Sequence, residues 1–261
     1  ENIAVVFQAD AAIEALFAAQ NIEIFKIGTV TEGDLVTIKN NADTFTFNVN
    51  ETRDTWFKTS YLLDAKQSRN GMAEARYANY KNQPLDYQFP AHFTGKAAVI
   101  SSAVERPKAA IIREKGSNSE REMANAMYLA GFDVKDVHMT DLISGRETLE
   151  DIQFIGAVGG FSNSDVLGSA KGWAGAFLYN EKANTALKNF FKREDTLSVG
   201  ICNGCQLLME LELINPEHKV HGKMHHNTSN KHESIFTSVK VQKNNSVMLS
   251  SLEGATLGVW V

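Results

Sequence analysis

Two cysteines and four prolines are all that the 261 residues contain. Two thiols cannot staple a chain this long, which excludes the disulfide-built secreted folds. Cys202 and Cys205 also stand three positions apart, so a reducing compartment and chemistry at the pair are expected. Excess basic charge is missing as well. The formal net charge is −5 and the pI about 5.8, which gives no support for a nucleic-acid or membrane-surface partner. No apolar run approaches the length of a membrane span, and no basic stretch followed by an apolar one opens the chain. A cytoplasmic location is the expectation. Repeats and low-complexity tracts are lacking too. The first residue is Glu1 rather than methionine, and "LGVWV" at the other end reads as a strand interrupted midway, so a fragment of something longer is expected.

What is present suffices for a core, with 43% of residues hydrophobic. Residues 1–64 read as a small α+β unit. "IAVVFQAD" is strand-like, "AAIEALFAAQ" is helical, and "EIFKIGTV" and "DLVTIKN" are expected as strands joined around Glu32 and Gly33. "DTFTFNVN" alternates with period two, and "ETRDTWFKTSYLLDAKQ" has the acidic start of a helix. Residues 65–106 read as a connecting segment, with helix persisting to about Tyr80 and "LDYQF", bracketed by Pro84 and Pro90, lying along a surface.

From residue 107 to 261 strands and helices alternate, the signature of a mainly parallel sheet covered on both faces. "KAAIIR", "VKDVHM", "FIGAV" and "TLSVGIC" are the expected strands. "EREMANAMYLAGF", one continuous stretch from Gly172 to Lys192, and "NGCQLLMEL" are the helices, with further strands near 234–242 and 256–261. Ser119 and Glu122 have the spacing of a capping box, and Gly131 that of a C-terminal stop. The fold class is therefore α/β, a Rossmann-like three-layer domain preceded by a partial α+β piece. Ligands belong at the carboxyl ends of its strands.

Cys202 stands where an apolar strand gives way to a helix, with Gly200 before it and Gly204 after. This G-x-C-x-G layout is that of a nucleophile elbow, in which glycines permit a tight, strained turn that projects the thiol above the sheet. A sulfur at a helix start faces the positive end of the macrodipole. The amide N–H of Asn203 points to one oxyanion donor, and such a donor is typically worth about 10²–10³ in rate. Gly159 and Gly160 close the neighbouring strand, and their loop is a source for a second.

The heptad "GICNGCQ" resembles the G-x-C-x-G-x-Q elbow of class I glutamine amidotransferases. "RPKAAIIREKGSNSEREM", "AGFDVKDVHMTDL", "GGFSNSDVLGSAKGWA" and "GICNGCQLLMEL" are similar to successive blocks of the large single-chain phosphoribosylformylglycinamidine synthases, and "DTWFKTSYLLDAKQ" to the end of their synthase region. The resemblance covers most of the chain. It implies hydrolysis of glutamine through a thioester on Cys202, with ammonia passed to a synthase site on the rest of the synthase polypeptide. There ATP and Mg, bound mostly outside this chain, activate formylglycinamide ribonucleotide. It further implies oxyanion donors around Gly160, Phe161 and Asn203, a supporting Gln206, and Asn227 and Ser229 near the glutamine pocket. Two departures stand out. Asn163 and Ser164 occupy the family's Tyr-Gly positions, and the family's His-x-Glu, the base and its orienter, finds no match after Cys202. A fragment without useful turnover is expected.

Other readings stand beside this one. Cys-x-x-Cys also occurs in zinc and redox sites, and His218, His221, His225, His226 and His232 lie downstream, but their spacing matches no zinc pattern. Metal is therefore not expected, and Cys205 is expected as a small buried hydrophobe. Arg113 beside "GSNS" suggests an anion site or, more simply, a capped helix with a solvated arginine. The chain could also be a non-catalytic amidotransferase-like interaction module, or a cysteine hydrolase of similar build.

Overall fold

A computed structural model describes residues 4–82, 86–96, 100 and 105–261. Glu1, Pro84 and Leu85 lie outside the described residues, and with them the start of the stretch expected along a surface. The chain divides into two compact units, Glu1–Pro84 with Thr228–Lys231, and Leu85–Asn227 with His232–Val261.

The first unit contains helix α1 (Ala12–Ala19), strands β1 (Leu35–Asn40) and β2 (Asp43–Asn48), and helices α2 (Val49–Gln67) and α3 (Met72–Asn79). β1 and β2 form an antiparallel hairpin in which Asn40 faces Asp43. The hairpin turn is thus at Asn41, whose φ of 55° is the left-handed value that asparagine tolerates, and not at Glu32 and Gly33 as expected. Neither "AVVFQAD", the described part of the first stretch, nor "EIFKIGTV" forms a strand in this unit. An apolar run becomes a strand only against a partner ladder, and here Phe7 instead stacks on Phe17 at 5.6 Å. Asn48 caps α2, its side chain accepting from the N–H groups of Asn50 and Glu51. Among the described residues of this unit, Ala73 is the one buried hydrophobic. Polar contacts around Asp64 supply much of its definition. Arg76 and Lys231 each reach the carboxylate at 2.7 Å, and the Ser68 hydroxyl donates to it at 2.5 Å.

The second unit follows with β3 (Lys108–Arg113), β4 (Ser117–Asn118), α4 (Glu120–Leu129), β5 (Asp133–His138), α5 (Met139–Ser144), β6 (Phe154–Ala157), β7 (Gly159–Gly160), α6 (Lys171–Leu178), α7 (Glu181–Lys192), β8 (Leu197–Gly200), α8 (Asn203–Glu210), β9 (Phe236–Lys240) and β10 (Thr256–Trp260). Four parallel strands run in the order β5-β3-β6-β8. Ala109 to Ile112 and all of β6 are buried, as befits central strands covered on both faces. Gly156 and Ala157, adjacent on β6, point to opposite faces. A side chain at Gly156 would meet Met123 and Met127 of α4, whereas Ala157 meets Gly204 of α8. The helices therefore cover both faces, giving the three-layer α/β architecture. Trp173, Phe177 and Phe190 fill the helical side of the core.

Local details depart from the sequence reading. The stretch from Gly172 to Lys192 is two helices, because Asn180 adopts an extended backbone and accepts from the Ala183 N–H, starting α7 afresh. Ser119 does not cap α4. The β4 turn leaves it at φ 74°, with its side chain making no capping bond. β9 and β10 pair antiparallel with each other, apart from the main sheet. Among the described residues no helix is long and apolar enough to cross a membrane.

Burial raises the pKa of Asp64, but hydrogen bonds from Lys231, Ser68 and Arg76 outweigh it and hold the value down to about 2. A carboxylate depressed in the folded state stabilises above its unfolded value, near 3.8, and that contribution disappears as pH falls through about 2. Asp64→Asn is expected to lower stability at pH 7 by about 1–2 kcal/mol. The difference between variant and parent should shrink between pH 4 and 2 in denaturant melts.

Candidate active site

Cys202 sits between β8 and α8 with φ 55° and ψ −109°. A side-chain-bearing residue in this region costs on the order of 1–3 kcal/mol and persists only when its surroundings impose it. Two glycines do so. A Cβ on Gly204 would stand 2.1 Å from the Ala157 carbonyl oxygen, and one on Gly200 would stand 2.4 Å from the Gly204 carbonyl oxygen. The helix start thus presses on the end of β6 more closely than any side chain allows, and the chain between must turn sharply at Cys202. The thiol is exposed and free.

The neighbouring strand delivers the second part. Gly159 faces the cysteine, since a Cβ there would stand 3.4 Å from Cys202 Cβ and 4.0 Å from its Sγ. Gly160 has φ +104°, and its missing Cβ makes room for the backbone of Gly116 to Asn118. That turn, "KGSN", braces the glycine loop. The Phe161 N–H donates to Gly116 O at 2.9 Å, and the Asn163 N–H to Lys115 O at 2.7 Å. β4 pairs with β7, Ser117 opposite Gly160. The Phe161 bond makes that pair a non-hydrogen-bonded one, so the Gly160 N–H is not spent on Ser117.

Asn203 joins the two parts from within. It is 1% exposed, its Oδ1 accepts from the Ser162 N–H at 3.0 Å, and its Nδ2 donates to Gln206 Oε1 at 2.8 Å. The sequence points to the backbone of Asn203 and to a turn at "EKGSNS"; the side-chain role of Asn203 and the bracing of the glycine loop by that turn carry no sequence signal.

The structure therefore gathers Cys202, Gly160, Phe161, Asn203 and Gln206 at the carboxyl ends of β6 and β8. Of the N–H donors expected there, that of Phe161 is already committed to Gly116, and its ring is exposed. The Asn203 N–H has no protein acceptor among the described residues. Asn227 is exposed and lies in the same unit. Ser229 is grouped with the other unit, where it is 3% exposed and its carbonyl accepts from the Arg69 N–H at 3.1 Å. Cys205 is exposed rather than buried, because Gly204, Leu207 and Leu208 take the inward face of α8. Arg113 forms a two-pronged ion pair with Asp136, at 2.7 and 3.0 Å. No group of three His, Cys, Asp or Glu side chains is placed to hold a metal ion among the described residues. Nor does any histidine hydrogen-bond the Cys202 thiol among them.

Residues 106–261 match the profile of the CobB/CobQ-like glutamine amidotransferase domain. The chain belongs to this family. It is also similar to curated proteins named phosphoribosylformylglycinamidine synthase. A probable one from Arabidopsis thaliana, designated chloroplastic/mitochondrial, is 38% identical over 96% of this chain and 18% of that protein. The Homo sapiens protein is 40% identical over 81% and 17%, and a probable one from Caenorhabditis elegans 42% over 75% and 14%. The chain thus spans less than a fifth of these relatives. Among solved structures it is similar to PurLQS from Thermotoga maritima, with 25% identity, a TM-score of 0.47, and coverage of 60% of this chain and 67% of that one.

In the glycine loop of this amidotransferase domain, Ser164 sits at φ 56°, a conformation natural to the glycine that Ser164 replaces in the resembled motif. Ser164→Gly is expected to leave stability unchanged or raise it by up to about 1 kcal/mol. Gly204→Ala, driven into the Ala157 carbonyl, should cost about 3 kcal/mol or more, read from urea unfolding midpoints. A Gly204→Ala chain as stable as the parent would refute the packing argument.

Proposed function

We propose that this chain is the glutamine-hydrolysing part of a phosphoribosylformylglycinamidine synthase, with residues 1–64 the end of the synthase region, 65–106 a connecting segment and 107–261 the amidotransferase domain. The observation that carries this is the left-handed Cys202 wedged between β8 and α8, in a domain of the glutamine amidotransferase family.

In the proposed reaction the Cys202 sulfur attacks the side-chain carboxamide carbon of glutamine. A C–S bond forms, and the carbonyl oxygen becomes an oxyanion. The backbone N–H groups of Asn203 and Gly160 are the candidates to receive it, since neither is spent on the contacts that hold Phe161 and Ser162. Collapse breaks the C–N bond, the nitrogen takes up a proton, and ammonia leaves. Water then cleaves the thioester to glutamate and free thiol. Gln206 steadies Asn203 and, through it, the loop at Ser162. Asn227, in the same unit as Cys202, is proposed to border the glutamine pocket. The ammonia would serve an ATP- and Mg-dependent amidation of formylglycinamide ribonucleotide elsewhere in the synthase polypeptide.

A second reading, a non-catalytic amidotransferase-like module, draws on one observation. No base touches the thiol among the described residues, and a cysteine nucleophile of this kind depends on one for turnover.

A diazoketone analogue of glutamine tests both. One adduct per chain, confined to Cys202, competed by glutamine and lost in Cys202→Ser, is expected. Labelling that glutamine does not protect would indicate a cysteine hydrolase with another substrate, and an unlabelled chain would favour the non-catalytic module. Steady-state ammonia release is expected to be negligible, so robust turnover by the 261-residue chain would overturn the part of the proposal concerning the base.

A further inference from the structure

Behind the glycine loop lies a small cavity of about 70 Å³, lined by Ser162, Asn163, Asp165, Val166, Leu167, Gly168, Lys171 and Gly172. Three side-chain oxygens of these lining residues are buried and find no hydrogen-bond partner among the described residues. They are Ser162 Oγ, Asn163 Oδ1 and Asp165 Oδ1. Ser162 is 2% exposed, so its hydroxyl cannot turn to solvent instead. A buried acceptor without a partner costs about 1–3 kcal/mol, and a carboxylate oxygen more, so three of them around one space call for a common occupant.

The backbone holds these oxygens deliberately. Asn163, Ser164 and Asp165 have φ values of 52°, 56° and 52°, three consecutive left-handed residues with no glycine among them. Each costs roughly 1–2 kcal/mol relative to a right-handed conformation. The run is fixed from both sides, by Asn163 N–H to Lys115 O before it and by Gly168 N–H to Asp165 O after it. Gly172 allows Asn163 Oδ1 to sit against the start of α6, where a Cβ would stand 2.9 Å away.

All three groups can accept, one carries a formal negative charge, and the volume admits one compact ion with few waters. We propose that this cavity binds a partly dehydrated monovalent cation of potassium or ammonium size, held by Ser162, Asn163 and Asp165. Lys171, the cation among the lining residues, is exposed and also lines a second depression, which Glu210 and Glu212 border. Because Ser162 N–H is bonded to Asn203 Oδ1, the ion's hold on the Ser162 side chain would stiffen the loop beside Cys202. This proposal does not depend on glutamine being the substrate.

The test is thermal unfolding of the intact chain in potassium, ammonium, sodium, lithium or choline chloride at constant ionic strength. Potassium or ammonium at about 100 mM is expected to raise the melting temperature by ~2–4 °C over choline, with lithium without effect. The shift should vanish in Asp165→Asn and weaken in Ser162→Ala. A larger shift with ammonium than with potassium assigns the site to ammonium, and the reverse to potassium. Should Asp165→Asn fail to fold, thallium-205 NMR of the parent chain reads binding directly, with a bound resonance displaced by potassium expected. A parent chain that melts alike in all five salts, an Asp165→Asn chain that keeps the shift, or no bound thallium resonance would each overturn the proposal and leave ordered water as the occupant.

Discussion

The contact between Gly204 and the carbonyl of Ala157 sets the geometry of the amidotransferase domain at the carboxyl end of its sheet, where Cys202 stands. It brings α8 against β6 at a distance that only a residue without a side chain permits. Gly200, pressed in turn against the Gly204 carbonyl, prevents the strand from relaxing away. With both ends held, the intervening residues have one way to connect, and it passes through the left-handed backbone of Cys202. The strain at the cysteine is thus a result of packing several residues away, and the surrounding core of Trp173, Phe177 and Leu207 is what sustains it.

The glycine loop at Gly159 and Gly160 obeys the same logic from the other side. Its shape is not intrinsic. It is imposed by the Lys115–Asn118 turn through two backbone hydrogen bonds, and by Asn203 through a third. The thiol and the proposed oxyanion donors therefore come from two segments, residues 159–163 and 200–206, held together by the Asn203 side chain and braced by a third, residues 115–118. In such an arrangement the supporting contacts determine how well the reactive ones are placed.

The readable parts of the sequence were those in which local pattern and tertiary context agree. The "AAII" of "KAAIIR" and the whole of "FIGAV" lack polar side chains because both faces of their strands are covered, and the glycines around Cys202 carry the elbow in their spacing alone. The first unit was less legible. "EIFKIGTV" has strand composition, yet whether it forms a ladder is decided by a partner strand, which composition does not specify. Ser119 and Glu122 have capping spacing, but the β4 turn fixes the backbone of Ser119 first. The exposure of Cys205 depends on the helical phase with which α8 leaves the elbow, a quantity set by the Gly204 contact. The Ser162–Asn203 bond joins residues 41 positions apart, and no periodicity announces it.

That bond also decides a matter of polarity. A backbone N–H can only donate, so the Ser162 amide compels Asn203 to offer its oxygen. Asn203 is then left with its NH₂ for Gln206, which must answer with Oε1. The NH₂ of Gln206 is consequently turned away from this chain of amides. A one-way relay that begins at a main-chain amide ends in a pair of donors, and neither glutamine nor asparagine is free to flip without breaking it.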